Sequence, residues 1–382
     1  MTDSYFIDRD KYSDLTSWKN SSNRKPLIIL GARQVGKTCL VRKFSEEFEY
    51  FAEINFEFLQ DAKAIFIRGL EPKKIIQDLA VLIDTPIIPG KTLLFMDEIQ
   101  QCPEAIQSLR YFYEIIPKLH VIAAGSLIGF ELKRLPTAVG RVSYLHLYPL
   151  TFGEFLQASQ GFLLRKHLLN LKIDEPIMEI HHNRLLNTLR EYMLVGGMPA
   201  VVSLYIQKQP VAECQKVISD LINTYIFDFN KYGRKIQIPN LVKVFRNVPS
   251  QLGAKFKYSN VEAISKPTSV QSALEFLETA GLIYRVYHTK ADGIPLGARI
   301  NPNRFKILFL DIGLAQHLLG IDLAKWVSDI DVTSVNEGAI AEQFIGQEIA
   351  AMTNADYMNP LFYWHREKKS SNAEVDFIIQ KK

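Results

Sequence analysis

Between residues 27 and 148 short apolar runs alternate with amphipathic stretches. Leu27–Leu30, Tyr50–Asn55, Thr92–Met96, Leu119–Ala124 and Val142–Leu147 predict five strands, and Lys37–Phe48 and Glu104–Ile116 between them carry apolar positions at helical spacing. Strands separated by helices imply parallel β-α-β units and a sheet covered on both faces. After Pro149-Leu150 the pattern changes. From Thr151 to about Lys231 it is helical, broken at Gly161, Pro176, Gly196-Gly197-Met198-Pro199 and Pro210. Residues 236–300 predict three helices (Pro239–Leu252, Ser259–Ile264, Thr268–Ala280), then Gly281 and a strand over Leu282–His288, which is the element order of a winged helix. Beyond Phe305, strands at Ile307–Leu310, Leu361–His365 and Glu374–Ile379 mix with a long helix, Asn336–Met352.

Composition narrows the class. The chain has 382 residues, of which 47% are hydrophobic and 23% charged, so it can bury sizeable cores and is expected to form more than one domain. The longest uncharged apolar stretch that reads as one element, Val121–Phe130, has ten residues, whereas about 20 are needed to cross a bilayer. The polar, acidic N-terminus lacks the apolar core of a secretory signal. Cys39, Cys102 and Cys214 lie far apart, an odd count without metal-ligand spacing. These features predict a cytoplasmic protein without a membrane partner.

The sharpest chemical signal is Gly31-Ala32-Arg33-Gln34-Val35-Gly36-Lys37-Thr38, which satisfies the P-loop pattern and sits between an apolar strand and an amphipathic helix. Gly31 and Gly36 let the backbone N–H groups of Ala32, Arg33, Gln34 and Val35 curl around phosphate oxygens. Lys37 brings charge to the β- and γ-phosphates, Thr38 an oxygen to Mg²⁺, and Cys39 continues the helix N-terminus that favours the anion. Sixty residues past Lys37, Leu93-Leu94-Phe95-Met96-Asp97-Glu98 reads as a Walker B strand. Asp97 is placed to hold Mg²⁺ and Glu98 to activate the attacking water. Ser126 follows the fourth strand as a candidate γ-phosphate sensor. Asn55 ends the second strand, where it is a candidate to hold Glu98 in an unproductive rotamer. A guanine-reading pattern at Thr289-Lys290-Ala291-Asp292 lies far from Asp97 and is read as chance.

Taken in order, GARQVGKT, FMDEIQQCP, AAGS, a Gly-Arg followed by YLHLYPLTFGEFL, and GGMP resemble one family: the bacterial and archaeal AAA+ (P-loop) ATPases that carry a C-terminal domain of unknown function. The resemblance spans almost the whole chain. It implies an α/β fold: an AAA-like parallel-sheet core over 1–150, a helical subdomain over 151–235, a winged-helix-like domain over 236–300 and a small α/β restriction-endonuclease-like domain over 301–382. It implies ATP and Mg²⁺ as ligands. Arg141 resembles the position from which AAA-like proteins offer an arginine to a phosphate, in cis or to a neighbouring copy.

Within the last part, Glu374-Val375-Asp376-Phe377 resembles the metal-binding strand of PD-(D/E)xK nucleases, and Glu342 lies on the preceding helix. The chain reaches Lys382 before a Glu/Asp-x-Lys strand, so no DNA cleavage is expected. Between Asp228 and Tyr258, Lys231, Arg234, Lys235, Lys243, Arg246, Lys255 and Lys257 face a single acidic residue, with Tyr232, Phe256 and Tyr258 interleaved. This makes nonspecific DNA contact a candidate. However, the recognition-helix position, Thr268–Ala280, has no cation and two glutamates. The expected function is nucleotide-gated ATP hydrolysis that moves the C-terminal domains. The alternatives are an ATP-regulated DNA-binding protein or a protein-interaction switch.

Overall fold

Five parallel strands build the first sheet in the order β2-β3-β4-β1-β5. They are β1 (Leu27–Leu30), β2 (Tyr50–Asn55), β3 (Thr92–Asp97), β4 (His120–Ala124) and β5 (Ser143–His146). The computed structural model describes residues 6–134, 140–159, 161–172, 174–232, 237–261, 266–320, 337–353, 360–366 and 373–380. Every residue of β3 and β4 is buried, as the unbroken apolar runs predict for central strands of a covered sheet. Ile54, Leu94, Met96 and Ala123 pack one face of the sheet against Phe66, Ile75, Leu79, Leu109 and Phe112 of the flanking helices. Because the strands are parallel, the carboxyl ends of β1, β3 and β4 open on one edge, the edge where ligands of such sheets bind.

The chain divides into two compact units, Met1–Leu147 and Tyr148–Lys382. The second begins with helices: α7 (Phe152–Ala158), α8 (Phe162–Asn170), α9 (Glu179–Val195), α10 (Pro199–Ile206) and α11 (Val211–Tyr232). Thr151-Phe-Gly-Glu154 starts this run as a capping box, with the Thr151 hydroxyl accepting from Glu154 N and the Glu154 carboxylate accepting from Thr151 N.

Helices α12 (Ile238–Asn247) and α13 (Pro267–Thr279) lead into β6 (Ile283–Thr289) and β7 (Ile300–Phe309), an antiparallel pair. A 3₁₀ turn at Tyr258–Asn260 stands where a second helix was expected; residues 262–265 of that stretch lie outside the described residues. Strand β8 (Leu361–His365) pairs in parallel with β6, and β9 (Glu374–Ile378) pairs antiparallel with β8, giving the order β7-β6-β8-β9. One sheet thus crosses residue 300, where the sequence reading divided a winged-helix-like part from a nuclease-like one. The hairpin is shared because β6 offers its second edge to β8. Helix α15 (Glu337–Thr353) lies against β7, with Gln343 bonding both the N–H and the C=O of Phe309. Among the described residues no helix is long and apolar enough to cross a membrane.

Candidate functional site

The loop after β1 has the backbone that phosphate binding requires. Gly31, Gln34 and Gly36 all have positive φ (145°, 65° and 97°), and Gly36 caps α2 (Lys37–Ser45). A side chain at Gly31 is excluded twice over: by its φ, and because a Cβ there would lie 2.2 Å from the Leu147 carbonyl oxygen. The helix is held by Leu40, Val41 and Phe44, all fully buried, so its N-terminus is fixed against the sheet.

Lys37 is buried, and its ammonium donates to the carbonyls of Gly31 (2.9 Å) and Ala32 (2.8 Å). Burial pushes its pKa down to about 8, although the Glu98 and Asp97 carboxylates pull the other way. Thr38 Oγ1 donates to Asp97 Oδ2 at 2.9 Å, bringing the two expected Mg²⁺ ligands together from α2 and the end of β3. Burial also raises the Asp97 pKa, opposed by the Thr38 hydrogen bond. Ser126 is buried two residues past the end of β4. Cys39 is exposed on α2.

Glu98 has φ +49°, a left-handed conformation that a non-glycine residue adopts only under constraint. Its carboxylate accepts a hydrogen bond from Gln100 Nε2 at 2.5 Å. Here the reading of Asn55 is corrected. Asn55 stands in register with Asp97, and its Nδ2 donates to Asp97 Oδ2 at 3.3 Å; its Oδ1 accepts from Glu57 N and Phe58 N. The side chain on Glu98 is Gln100, not Asn55.

Arg141 is also corrected as a residue of its own chain's site. It precedes β5, whose Ser143 pairs with Leu27 at the start of β1, so Arg141 lies at the amino edge of the sheet, opposite the P-loop. There it bonds Glu114 at the end of the helix Pro103–Ile115 (3.0 Å), in a partly exposed ion pair.

Other expected residues fall in the second unit. Lys231 pairs with Asp228 at 3.7 Å. Lys243, Arg246 and Lys257 are exposed and Lys255 half-buried, while Arg234 and Lys235 lie outside the described residues. The guanine-like match belongs to the β6–β7 connection, where Asp292 pairs with Arg299.

The nuclease-like carboxylates do come together, but around an ammonium. Lys306 of β7 reaches Glu342 (2.8 Å), Glu374 (2.6 Å) and Asp376 (2.9 Å), and sits over the Tyr363 ring. Burial disfavours its charge, yet the three carboxylates hold its pKa well above the ordinary lysine value. No group of three His, Cys, Asp or Glu suited to a metal occurs among the described residues.

Sequence reasoning missed four residues. Arg9 donates from Nη1 to the Val35 carbonyl at 2.8 Å, bracing the P-loop from the N-terminal segment. Gln100 and Lys306 are the second and third. The fourth is Asp311, which caps α14 (Ile312–Leu318) by accepting from Leu314 N and also accepts from Gly197 N at 2.6 Å. A Cβ at Gly196, the first glycine of the GGMP motif, would lie 2.2 Å from Asp311 Oδ1. Of the four, only Asp311 carries a local signal, a carboxylate just before a helix.

The geometry has counterparts among known proteins. Residues 23–156 match the model of the AAA domain family, and residues 186–325 match that of a domain of unknown function (DUF8612). Residues 23–156 form an AAA domain. Over the chain as a whole, the fold is similar to that of the Walker-type ATPase PABY2304 of Pyrococcus abyssi, at 18% identity and TM-score 0.52, covering 83% of this chain and 96% of that one. More distant matches are the Aeropyrum pernix ORC1 protein in complex with DNA (13% identity, 83% and 91% covered, TM-score 0.28) and AMPPCP-bound DnaA from Aquifex aeolicus (14%, 72% and 89%, 0.29). No curated protein matches the chain in sequence. In the AAA domain here, Asp97 ends a strand and the P-loop, Glu98 and Ser126 follow strands, all at the carboxyl edge of one sheet.

Proposed function

We propose that the AAA domain binds ATP with Mg²⁺ and hydrolyses the β–γ phosphoanhydride bond, and that nucleotide state sets the conformation of the second unit. The observation that carries the hydrolysis is the 2.9 Å Thr38–Asp97 contact with Glu98 next in the chain. Two oxygen donors side by side at the P-loop suit a hard divalent cation, so Thr38 and Asp97 would hold Mg²⁺, which would supply charge neutralisation to the phosphates.

Lys37 is already desolvated and, among the described residues, bonded to the neutral carbonyls of Gly31 and Ala32, so its charge is available to the phosphate oxygens. Glu98 accepts a proton from water as the water oxygen attacks the γ-phosphorus and the bond to the β-phosphate oxygen breaks, with ADP leaving. Ser126 is assigned to the γ-phosphate or the attacking water.

Coupling to the second unit is supported by the chain itself. Leu147 N donates to Leu30 O just before the P-loop, and the Leu147 carbonyl abuts Gly31. Three residues on, Leu150 is tied into the second unit by its N–H to Gly197 O (2.7 Å) and by Tyr192 Oη donating to its carbonyl (2.6 Å). The link between units therefore leaves from the residue that touches the first P-loop glycine.

The test is phosphate release from ATP with Mg²⁺, alongside nucleotide binding. Lys37→Met removes a charge-assisted contact worth about 1.5–3 kcal/mol, and ATP affinity falls roughly 10- to 150-fold. Unchanged affinity would contradict the assigned role. Coupling predicts that ATP changes amide exchange at Tyr148, Leu150 and 192–197.

A further inference from the structure

The side chain of Gln100 makes one hydrogen bond and leaves one group unmet. It projects from the 3₁₀ turn Ile99–Gln101 immediately after Glu98 and is buried. Its Nε2 donates to Glu98 Oε2, while its Oε1 is buried and has no hydrogen-bond partner among the described residues. The orientation is dictated by chemistry, since only the NH₂ end of an amide can face a carboxylate. The oxygen is thereby turned against Gly125, where a Cβ would lie 2.0 Å from it. A buried amide oxygen without a partner is costly, so the orientation is held by what the other end of the amide meets. Here the unmet oxygen is the consequence of aiming the amide at Glu98.

Resting on the hydrolytic reading above, we propose that Gln100 is the positioning residue for Glu98, wedged between that carboxylate and the glycine that precedes Ser126. The amide commits Oε2 of Glu98 to a charge-assisted bond and leaves Oε1 to act on water. The left-handed backbone at Glu98 and the 3₁₀ turn bring residue 100 back over residue 98, which an extended continuation of β3 does not do. Gly125 serves as the seat of the wedge. A single side chain therefore sets the base on one strand end relative to Ser126 on the next.

The experiment compares ATP turnover, ATP affinity and thermal stability in the full chain for the wild type, Glu98→Gln, Gln100→Met, Gln100→Ala, Gly125→Ala and the double variant Gln100→Ala/Gly125→Ala. Methionine keeps the volume of glutamine and abolishes the unmet acceptor, so a purely structural role predicts unchanged or higher Tm and unchanged turnover. The positioning role predicts that Gln100→Met lowers kcat about 10- to 100-fold, with KM and Kd for ATP within about twofold and Tm not reduced. Gly125→Ala, whose Cβ displaces the amide oxygen, reproduces the kcat loss. The double variant is no slower than Gln100→Ala alone, because the clash and the contact vanish together. Turnover of Gln100→Met within twofold of the wild type, or additive losses in the double variant, overturns the assignment of Gln100. If the wild type does not hydrolyse ATP, or Glu98→Gln matches it, the hydrolytic reading fails instead. If Gln100→Met does not fold, Gly125→Ala and the double variant decide the matter.

Discussion

Lys37 and Lys306 are both buried lysines, yet their surroundings are opposite in kind. Lys37 is bonded to two neutral carbonyls and its pKa is pushed down to about 8 by burial. Lys306 is ringed by Glu342, Glu374 and Asp376 and its pKa lies above the ordinary value. A cation desolvated without an anion on its own ammonium is costly by itself and becomes favourable when an anion arrives. A cation surrounded by carboxylates is already neutralised and holds a fold together. The first unit thus keeps its charge for a ligand, and the second spends it on its own sheet.

Removing each lysine separates the two cases. Lys306→Met leaves three carboxylates facing one another; with Glu374 and Asp376 partly exposed, it destabilises the second unit by about 1–3 kcal/mol, read as a lower denaturation midpoint. Lys37→Met removes a desolvated charge with no carboxylate on its ammonium, so its midpoint stays level or rises even as ATP affinity falls. A stable Lys306→Met, or an unstable Lys37→Met, breaks the comparison.

Asp311 sharpens it, being a buried carboxylate met by backbone N–H groups rather than a cation. Burial raises its pKa to about 6 against the hydrogen bonds of Gly197, Leu314 and Gly313. A folded pKa above the unfolded one means stability that is fully present below about pH 4 and lost as pH rises through 6. The size is about 3 kcal/mol at most. Asp311→Asn keeps the bond from Leu314 N without the titration, while its NH₂ replaces the oxygen that accepts from Gly197 N; this adds a pH-independent offset, and the stability of the wild type relative to this variant falls between pH 4 and 7 by up to that amount. A pH-independent difference contradicts the assignment.

The smallest effect is expected at Arg141. Its partly exposed pair with Glu114 is screened by solvent and contributes little to stability, and Arg141→Ala leaves turnover unchanged. A large loss of turnover would show that Arg141 serves a neighbouring copy.

What the sequence made legible was local. The P-loop, Asp97 and Glu98 could be placed because glycine spacing, an apolar run and its acidic end all lie within a few residues of one another. The strand run Leu361–His365 was placed to the residue for the same reason. What could not be read depends on partners far along the chain. Lys306 and Glu342 are 36 residues apart and Lys306 and Asp376 are 70. Arg141 follows a Gly as expected, but its edge of the sheet is decided by the register of Ser143 on Leu27. Asn55 and Gln100 both flank the acidic pair in sequence or register, and only the turn at Glu98 decides which of them meets it.

The central claim is that Glu98 is the base of an ATPase. Its most direct test is single-turnover hydrolysis by Glu98→Gln with ATP binding measured on the same preparation. The account predicts turnover lowered about 10²- to 10⁴-fold with affinity held within about twofold. Hydrolysis within a few-fold of the wild type would contradict it.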